Sequence, residues 1–202
     1  MKNVLFLGSK SPSRQLLLKE AGIKFVLVDQ DADEAACNWA LPLVQVVQGI
    51  AKHKMSHVVL PALKEGSICF VLTADTLCQQ ADGKIEGKPV DKNDAIKKIK
   101  AARIGSTVAT AFCLEKKVFQ DGSWQTLETI CKTVTSDYVF NVPDEFLDIY
   151  LKESFGLNTA GAIAVEGFGG QFLQSVSGSY SNIIGLPLFE LRKALYQMGF
   201  FN

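Results

Sequence analysis

The sequence predicts an α/β protein, and three observations support that prediction. Residues 5–18, LFLGSKSPSRQLLL, begin as an apolar strand and run through a turn of small residues into a helix. Residues 67–73, SICFVLT, form a continuous apolar run of strand length, which is typical of a central strand covered on both sides. After Pro42, apolar residues recur at helical spacing up to Val58. Strand-like and helix-like segments therefore alternate along the chain.

The remaining elements follow from turn and cap signals. Gly22 ends the first helix, and a second strand is expected over residues 24–28. Asp82-Gly83 and Asp121-Gly122 each predict a tight turn between two strands. The flanking strands are expected to be the apolar run at 67–73 with a return at 85–89, and two long strands at 105–115 and 124–140. The other predicted elements are helices at 91–103, 143–153 and 188–198, a strand at 172–176 and a turn at 178–182. The glycine-rich, apolar segment at 156–170 is expected to pack its backbone closely around a ligand.

Length and composition limit the class of protein. A chain of 202 residues that is 48% hydrophobic can bury a core in one domain, or in two small lobes around a cleft. Nothing in the sequence requires a second independent domain. The formal net charge is zero, which argues against nucleic acid or a membrane surface as a partner. The apolar run near the N-terminus is too short for a signal segment, so we expect a cytoplasmic location.

Cysteine usage favours neither a disulfide framework nor a zinc site. The chain has five cysteines, an odd number, and no pair of them has C-x-x-C spacing. Cys69, Cys113 and Cys131 lie in strand-like runs. We therefore expect these three to pack as small hydrophobic residues.

The turn after the first strand has features of an anion site. Gly8 is expected to let a ligand approach the backbone, and Ser9 and Ser11 supply hydroxyl groups. Pro12 suits the first helical position, and Arg14 would add a forked positive charge to the first turn. The alternative is an ordinary capped helix with Arg14 solvated at the surface. This stretch alone does not decide between the two.

Carboxylates and lysines at other element ends extend the candidate site. Asp75 follows the apolar run, and a carboxylate at the end of a buried strand is costly unless it is paired or lies in a cleft. Glu34 belongs to an acidic loop, which is either solvated or able to bind a metal or activate water. Lys52 or Lys54 could overhang a cleft from the long helix, although a solvated lysine is the alternative. Lys88, on an extended return strand, could contact a phosphate.

Cations together with carboxylates suit phosphate ester chemistry. The cations neutralise a polyphosphate, while the acids hold a divalent metal or position the attacking water. The sequence has no Walker A glycine-lysine loop, so it is not a P-loop protein.

Six short motifs, in order along the chain, resemble those of the Maf family. They are SKSPSRQLLL at 9–18, ADE at 32–34, AKHK at 51–54, ADT at 74–76, GKP at 87–89 and GSYSNIIGLPL at 178–188. The resemblance covers residues 4 to about 195. Six motifs in register are more specific than any one of them, and the last is the strongest.

The resemblance implies a nucleoside triphosphate pyrophosphatase that depends on Mg²⁺ or Mn²⁺. Such an enzyme hydrolyses the bond between the α and β phosphates of non-standard or surplus nucleotides and releases a nucleoside monophosphate and pyrophosphate. The implied structure is a single Maf-like domain over residues 1–202, an elongated, twisted mixed sheet flanked by helices, with two lobes around a cleft, as in inosine triphosphatases. The resemblance also implies a cytoplasmic homodimer, and the family is linked by name to septum formation.

The resemblance also assigns roles to residues at matching positions. Asp75 would be the general base and a metal ligand, and Glu34 a metal or water ligand. The positions that would contact the substrate are Ser9, Arg14, Lys54, Lys88 and Glu166.

Two departures from the family pattern bear on activity and base preference. Ser13 stands where many members have a second arginine, so one cation is missing. Glu166 stands where the pyrimidine branch of the family usually has Gln and the branch acting on methylated guanosine triphosphate has Glu, whereas Thr76 and the GSYSN motif look like the pyrimidine branch. These features leave the base preference open. They also leave two alternatives, a nucleotide-binding septum-formation regulator with weak or no catalysis, and a phosphatase that releases the terminal phosphate.

Overall fold

The computed structural model describes residues 3–202, and residues 1 and 2 lie outside the described part. It is an α/β protein with a seven-stranded sheet and helices packed around it, as the sequence predicts. The strands are β1 (Leu5–Leu7), β2 (Phe25–Leu27), β3 (Ile68–Gln80), β4 (Ile85–Glu86), β5 (Ser106–Gln120), β6 (Ser123–Phe140) and β7 (Leu173–Ser177).

Helices connect most of these strands. They are α1 (Pro12–Glu20), α2 (Leu43–Ser56), α3 (Lys92–Ala102), α4 (Leu147–Glu153), α5 (Tyr180–Ile184) and α6 (Leu188–Gln197). Short 3₁₀ turns lie at Glu34–Ala36, Asp144–Phe146, Gly156–Asn158, Ala160–Ala162 and Gly167–Phe172. In residues 3–202, no helix has both the length and the apolar character that a membrane crossing requires.

The sheet is mixed. Its strand order is β2-β1-β3-β5-β6-β7, and β4 pairs with β3 away from this path. Strand β1 pairs in parallel with both β2 and β3, whereas β4 is antiparallel to β3 and β7 is antiparallel to β6. The parallel pairs suit the strand-helix-strand connections at the start of the chain.

The described chain divides into two compact units. The first contains the chain up to Asp75, Ala111–Thr133 and Gly185–Asn202, and the second contains Thr76–Thr110 and Val134–Ile184. The core of the first unit includes the edge-to-face ring pair of Phe70 and Phe200, and that of the second includes the ring pair of Phe140 and Tyr150. The single domain, the elongated shape and the cleft stay predictions.

The predicted hairpin turn between the two long strands is confirmed. Asp121 and Gly122 both have positive φ, 53° and 72°, and they form the two-residue connection between β5 and β6. A two-residue turn with positive φ at both positions matches the twist of the flanking strands. Strand β5 continues to Gln120, beyond the predicted end at residue 115, and β6 begins at Ser123, next to the predicted start at residue 124.

The predicted turn at residues 178–182 is wrong in part, because the segment enters helix α5. Gly178 has a φ of 113°, which redirects the chain, and the Ser179 side chain then accepts a hydrogen bond from the backbone N–H of Asn182 at 3.3 Å. A serine hydroxyl that accepts an N–H three residues later is a helix cap. The hydroxyl-rich composition therefore marks a capped helix start.

The cysteine prediction also needs correction, because Cys113 and Cys131 form a disulfide. The turn at Asp121 and Gly122 folds β6 back beside β5 and brings the two Cα atoms within 4.2 Å. That separation is close to the distance of about 4.5 Å between directly facing residues of a non-hydrogen-bonded pair in antiparallel strands. Among the described residues, Cys37, Cys69 and Cys78 are free thiols, and Cys69 and Cys78 are buried as expected for small hydrophobic residues.

The disulfide predicts a thiol count and a contribution to stability. We expect titration of the unfolded protein to find three thiols without reductant and five after reduction. Because the bridged residues are 18 positions apart, changing both to alanine is expected to lower the free energy of unfolding by about 3 kcal/mol. Urea titration of the double alanine variant and of a Cys37→Ala control measures this loss. Five thiols in the protein before reduction would contradict the disulfide.

Candidate active site

The turn after β1 is closely packed by protein atoms, which contradicts the expected role of Gly8. A Cβ atom at Gly8 would lie 3.0 Å from Cγ2 of Val58 and 3.1 Å from Cγ2 of Thr73. The Gly8 N–H donates to the Leu72 carbonyl at 2.9 Å. The missing side chain therefore makes room for neighbouring side chains. It does not open the backbone to a ligand.

Helix α1 begins with the cap that the sequence predicts. The Ser11 hydroxyl accepts the backbone N–H of Arg14 at 3.4 Å, and Pro12 occupies the first turn. The Ser9 hydroxyl accepts the N–H of Ser11 at 3.4 Å. Both hydroxyl groups thus help to shape the start of the helix.

Arg14 is a buried clamp, which excludes a guanidinium solvated at the surface. The residue is 8% exposed. Its Nε donates to the Gly185 carbonyl at 2.8 Å, and its Nη1 donates to the Ser9 hydroxyl at 3.1 Å and to the Ala74 carbonyl at 2.9 Å. The planar fork of arginine can hold acceptors from separate segments in one fixed arrangement. Arg14 therefore joins α1 to the segment after α5 and to the residue before Asp75.

Asp75 lies inside β3, and its predicted position at the end of a strand is wrong. The strand continues to Gln80, five residues beyond the carboxylate. Asp75 is 6% exposed, and its Oδ1 accepts a hydrogen bond from Nζ of Lys54 at 2.6 Å. A buried carboxylate needs such a partner, because desolvation of an unpaired charge is costly.

Lys54 links two of the predicted acidic residues. Its Nζ lies 2.6 Å from Oδ1 of Asp75 and 2.8 Å from Oε1 of Glu34. Lys54 is 7% exposed, so the solvated alternative does not hold for it, whereas Lys52 on the same helix is exposed. An ammonium has three donors, and two of them serve these carboxylates.

Two contacts that the sequence did not reveal place the acids and the lysine. The buried Thr73 hydroxyl, two residues before Asp75, donates to the Ala51 carbonyl of α2 at 2.8 Å. This bond fixes the helix against β3 close to Lys54. The Trp39 indole Nε1 donates to the Glu34 carbonyl at 3.1 Å. The Thr73 contact joins segments 22 residues apart by tertiary packing, whereas the Trp39 contact is local and stabilises the acidic loop around Glu34.

Burial and neighbouring charges both shift the pKa values of this cluster. Burial raises the pKa of the Asp75 carboxyl, the Lys54 and Arg14 charges lower it, and Glu34 raises it further. Burial lowers the pKa of the Arg14 guanidinium, while Asp75 and Glu34 raise it. An arginine stays protonated even so. The cluster therefore combines three buried charged groups, Arg14, Lys54 and Asp75, with the Glu34 carboxylate, which is half-exposed.

The donor atoms of this cluster suit a divalent cation of the magnesium type. Oδ2 of Asp75 is buried, and no hydrogen-bond partner for it occurs among residues 3–202. In the same residues, no group of three or more His, Cys, Asp or Glu side chains is arranged to hold a metal. Mg²⁺ is commonly bound through one or two carboxylates together with substrate phosphates. Glu34 and Asp75 fit that requirement without a third protein carboxylate.

The other two predicted site residues, Lys88 and Glu166, belong to the second unit. Lys88 is exposed and lies in the loop between β4 and α3. Glu166 is half-buried and precedes the 3₁₀ turn at Gly167–Phe172.

The glycine-rich segment is closely packed, but the atoms that crowd its glycines belong to the protein, and the ligand predicted there stays a prediction. A Cβ atom at Gly169 would lie 1.8 Å from the Ala164 carbonyl oxygen, and one at Gly156 would lie 2.9 Å from that of Ala162. The Tyr150 hydroxyl donates to the Ala162 carbonyl at 2.9 Å and accepts the Ala164 N–H at 2.8 Å. This packing fixes the backbone that leads to Glu166.

The sheet and the Arg14, Glu34, Lys54 and Asp75 cluster define an α/β protein with a carboxylate-and-cation site, a combination suited to phosphate groups. The chain belongs to the Maf-like protein family, whose model matches residues 4–198. This match confirms the resemblance seen in the six motifs.

Proteins of known name resemble the chain over almost its full length. It is 34% identical to a dTTP/UTP pyrophosphatase of Caldicellulosiruptor saccharolyticus, with 99% of this chain and 96% of that protein covered. It is 36% identical to a dTTP/UTP pyrophosphatase of Geotalea uraniireducens, with coverage of 98% and 96%. It is 32% identical to a nucleoside triphosphate pyrophosphatase of Trichormus variabilis, with coverage of 99% and 96%.

Proposed function

We propose that this protein is a nucleoside triphosphate pyrophosphatase. It hydrolyses the bond between the α and β phosphates and releases a nucleoside monophosphate and pyrophosphate. One observation carries the proposal. In a chain of the Maf-like family, the buried Asp75 carboxylate lies 2.6 Å from Nζ of Lys54, and the same Nζ lies 2.8 Å from the Glu34 carboxylate. The names of the relatives support the same activity.

Each residue of the cluster has a proposed role. Asp75 accepts a proton from the attacking water as the general base, since a carboxylate held in one orientation can act on a water placed beside it. Lys54 holds Asp75 and Glu34 in place and has one donor left for a phosphate oxygen. Arg14 adds a fixed positive charge, and Ser9, held by Arg14, contributes a hydroxyl group to phosphate binding.

Glu34 and Asp75 are the residues that would hold Mg²⁺ or Mn²⁺. When bound, such a cation neutralises charge on the phosphate oxygens and makes water more acidic. The predicted homodimer, cytoplasmic location, absence of nucleic-acid partners and link to septum formation stay predictions.

Lys88 and Glu166 are proposed as further substrate contacts on the strength of the family motifs. Lys88 belongs to the GKP motif, and we assign it to a phosphate oxygen. Glu166 is assigned to the base. A carboxylate accepts hydrogen bonds but does not donate, so it suits the N–H groups of a guanine and the positive charge of a methylated one. A glutamine in its place could also donate to a pyrimidine carbonyl.

A substrate panel tests the proposed activity. Purified protein with Mg²⁺ or Mn²⁺ is incubated with dTTP, UTP, the common purine triphosphates and 7-methyl-GTP, and both pyrophosphate and phosphate are measured. We expect pyrophosphate together with the nucleoside monophosphate. Phosphate without pyrophosphate would show a terminal phosphatase. Nucleotide binding without either product would favour the alternative of a nucleotide-binding regulator. That alternative was considered because Ser13 replaces a second arginine.

Exchange of Glu166 for glutamine predicts a change in base preference. The measured quantity is kcat/KM for dTTP or UTP divided by kcat/KM for 7-methyl-GTP. We expect Glu166→Gln to raise this ratio by about tenfold, which is the effect of about one hydrogen bond. Glu145→Gln, at an exposed acid of the same unit, is the control. An unchanged ratio would remove Glu166 from base recognition.

A further inference from the structure

The loop that carries Lys88, residues 87–90, is held at three backbone atoms. The Gly87 carbonyl accepts a hydrogen bond from Nζ of Lys98 at 3.4 Å, and the Lys88 carbonyl accepts one from the same Nζ at 3.2 Å. The Val90 N–H donates to Oδ2 of Asp94 at 3.0 Å. Both side chains belong to α3 and lie four residues apart, so they project from the same face of the helix. The Gly87 carbonyl also accepts the N–H of Gly161 at 3.0 Å. Helix α3 therefore holds the loop at Lys88 and Val90 and shares the contact at Gly87.

Lys98 is an unusual residue for such a position, because it is buried. Its side chain is 7% exposed, and lysine is seldom buried unless it is paired. Its Nζ lies 3.1 Å from Oε2 of Glu86, whose side chain is 6% exposed, and 2.8 Å from Oδ2 of Asp94. Hydrogen bonds from Lys98 and from the Val90 backbone lower the pKa of Asp94. Two acids and two carbonyl groups thus surround one ammonium.

Stability alone does not account for this arrangement. A buried ion pair is often no more stabilising than two apolar side chains of similar volume, because desolvation offsets the attraction between the charges. An apolar pair would fill the space of Glu86 and Lys98 equally well. It could not donate to the Gly87 and Lys88 carbonyl groups. The feature that distinguishes Lys98 is its hold on the loop.

We propose that Lys98 is a positioning residue that fixes the backbone of Lys88 and so directs the Lys88 side chain toward a phosphate of the substrate. The inference rests on the phosphate contact assigned to Lys88 under the proposed function. The Lys88 side chain is exposed, and within residues 3–202 it makes no ion pair within 4.0 Å. The contact that fixes Lys88 is therefore made by its backbone carbonyl, which accepts the hydrogen bond from Lys98. Holding the backbone in advance reduces the ordering that substrate binding would otherwise require.

The test uses a double variant in which the buried charges are removed together. Lys98→Met alone would leave Glu86 as a buried acid with one partner, Lys84, and is expected to fold poorly. Glu86→Leu combined with Lys98→Met removes both charges and keeps the space filled. Lys97→Met, at the exposed neighbouring lysine, is the matched control. Urea unfolding verifies that each variant is folded before it is assayed.

We expect the folded double variant to have a KM about tenfold higher than that of the wild type for the best triphosphate of the substrate panel. Its kcat is expected to change less than threefold. The reason is that Lys88 binds the substrate but does not transfer protons. Lys88→Ala is expected to raise KM to a similar extent. Adding Lys88→Ala to the double variant is expected to cause no further rise, because Lys98 acts through Lys88. Wild-type KM in the folded double variant would overturn the inference, and so would a further rise in the combined variant.

Hydrogen exchange separates this inference from the proposed function. In the double variant, the amides of Gly87, Lys88 and Val90 are expected to exchange faster than in the wild type or in Lys97→Met. Unchanged exchange would show that Lys98 does not hold the loop and would overturn the inference even if pyrophosphate is released. If Lys88→Ala keeps wild-type KM while pyrophosphate is still released, the positioning role fails and the enzymatic function stands. If the wild type releases no pyrophosphate, the proposed function fails, and the inference fails with it.

Discussion

Asp75→Asn is expected to lower the turnover number for pyrophosphate release by about 10²-fold or more, because asparagine cannot accept a proton from water. The amide oxygen of asparagine can still accept the hydrogen bond that Lys54 makes at 2.6 Å, and Lys54 keeps its contact with Glu34. The surrounding structure and the affinity for nucleotide should therefore change little. Steady-state kinetics with Mg²⁺ or Mn²⁺ measures turnover, and calorimetry measures nucleotide binding.

Asp31→Asn is the matched control for this change, since Asp31 is an exposed acid of the same unit. It is expected to leave turnover within twofold of the wild type. Urea unfolding distinguishes a loss of chemistry from a loss of folded protein. If Asp75→Asn keeps wild-type turnover, Asp75 is not the general base. A loss explained by unfolding would call for assay at a temperature where the variant is folded.

Lys54→Met is the second change with a large expected effect, because it removes one ammonium from two carboxylates. We expect the free energy of unfolding to fall by about 3 kcal/mol, the usual scale for leaving a buried charge without its partner. Turnover is expected to fall by about 10²-fold, since Asp75 and Glu34 lose the group that holds them together. Urea titration and pyrophosphate release are measured on the same preparation.

Lys52→Met separates these effects from a general loss of positive charge. Lys52 lies on the same helix two residues earlier and is exposed. Its replacement is expected to change the unfolding free energy by less than about 0.5 kcal/mol and turnover by less than twofold. Equal effects of the two changes would mean that the specific pairing of Lys54 with the acids is unimportant. Full turnover in Lys54→Met would contradict the proposed cluster.

The residues of the candidate site were visible in the sequence, but several of their environments were not. Asp75 stood out because it follows an apolar run, although β3 in fact continues past it to Gln80. Arg14 was open to two interpretations, and its hydrogen bonds to Ser9, Ala74 and Gly185 exclude the solvated one. The Ala74 and Gly185 acceptors are backbone carbonyls far away in the chain. Periodicity near Arg14 carries no information about them.

The element order, in contrast, was predictable because it depends on local signals. Hydrophobic periodicity and turn dipeptides act over a few residues, so the Asp121-Gly122 turn and the Asp91 cap of α3 could be predicted from the sequence alone. The Cys113–Cys131 disulfide could not, because it depends on the register between two strands. Nothing in the spacing of five cysteines specifies that register.

The α/β class, the order of most helices and strands and the family of the protein follow from the sequence alone. The sequence also indicates most of the charged residues of the candidate site. Three features became evident only in the folded protein: Lys54 is shared by Asp75 and Glu34, Arg14 is a clamp, and Lys98 holds the loop of Lys88. The physical reason is that local sequence sets which face a side chain occupies, whereas a buried charge is tolerated only where segments distant in sequence supply its partners.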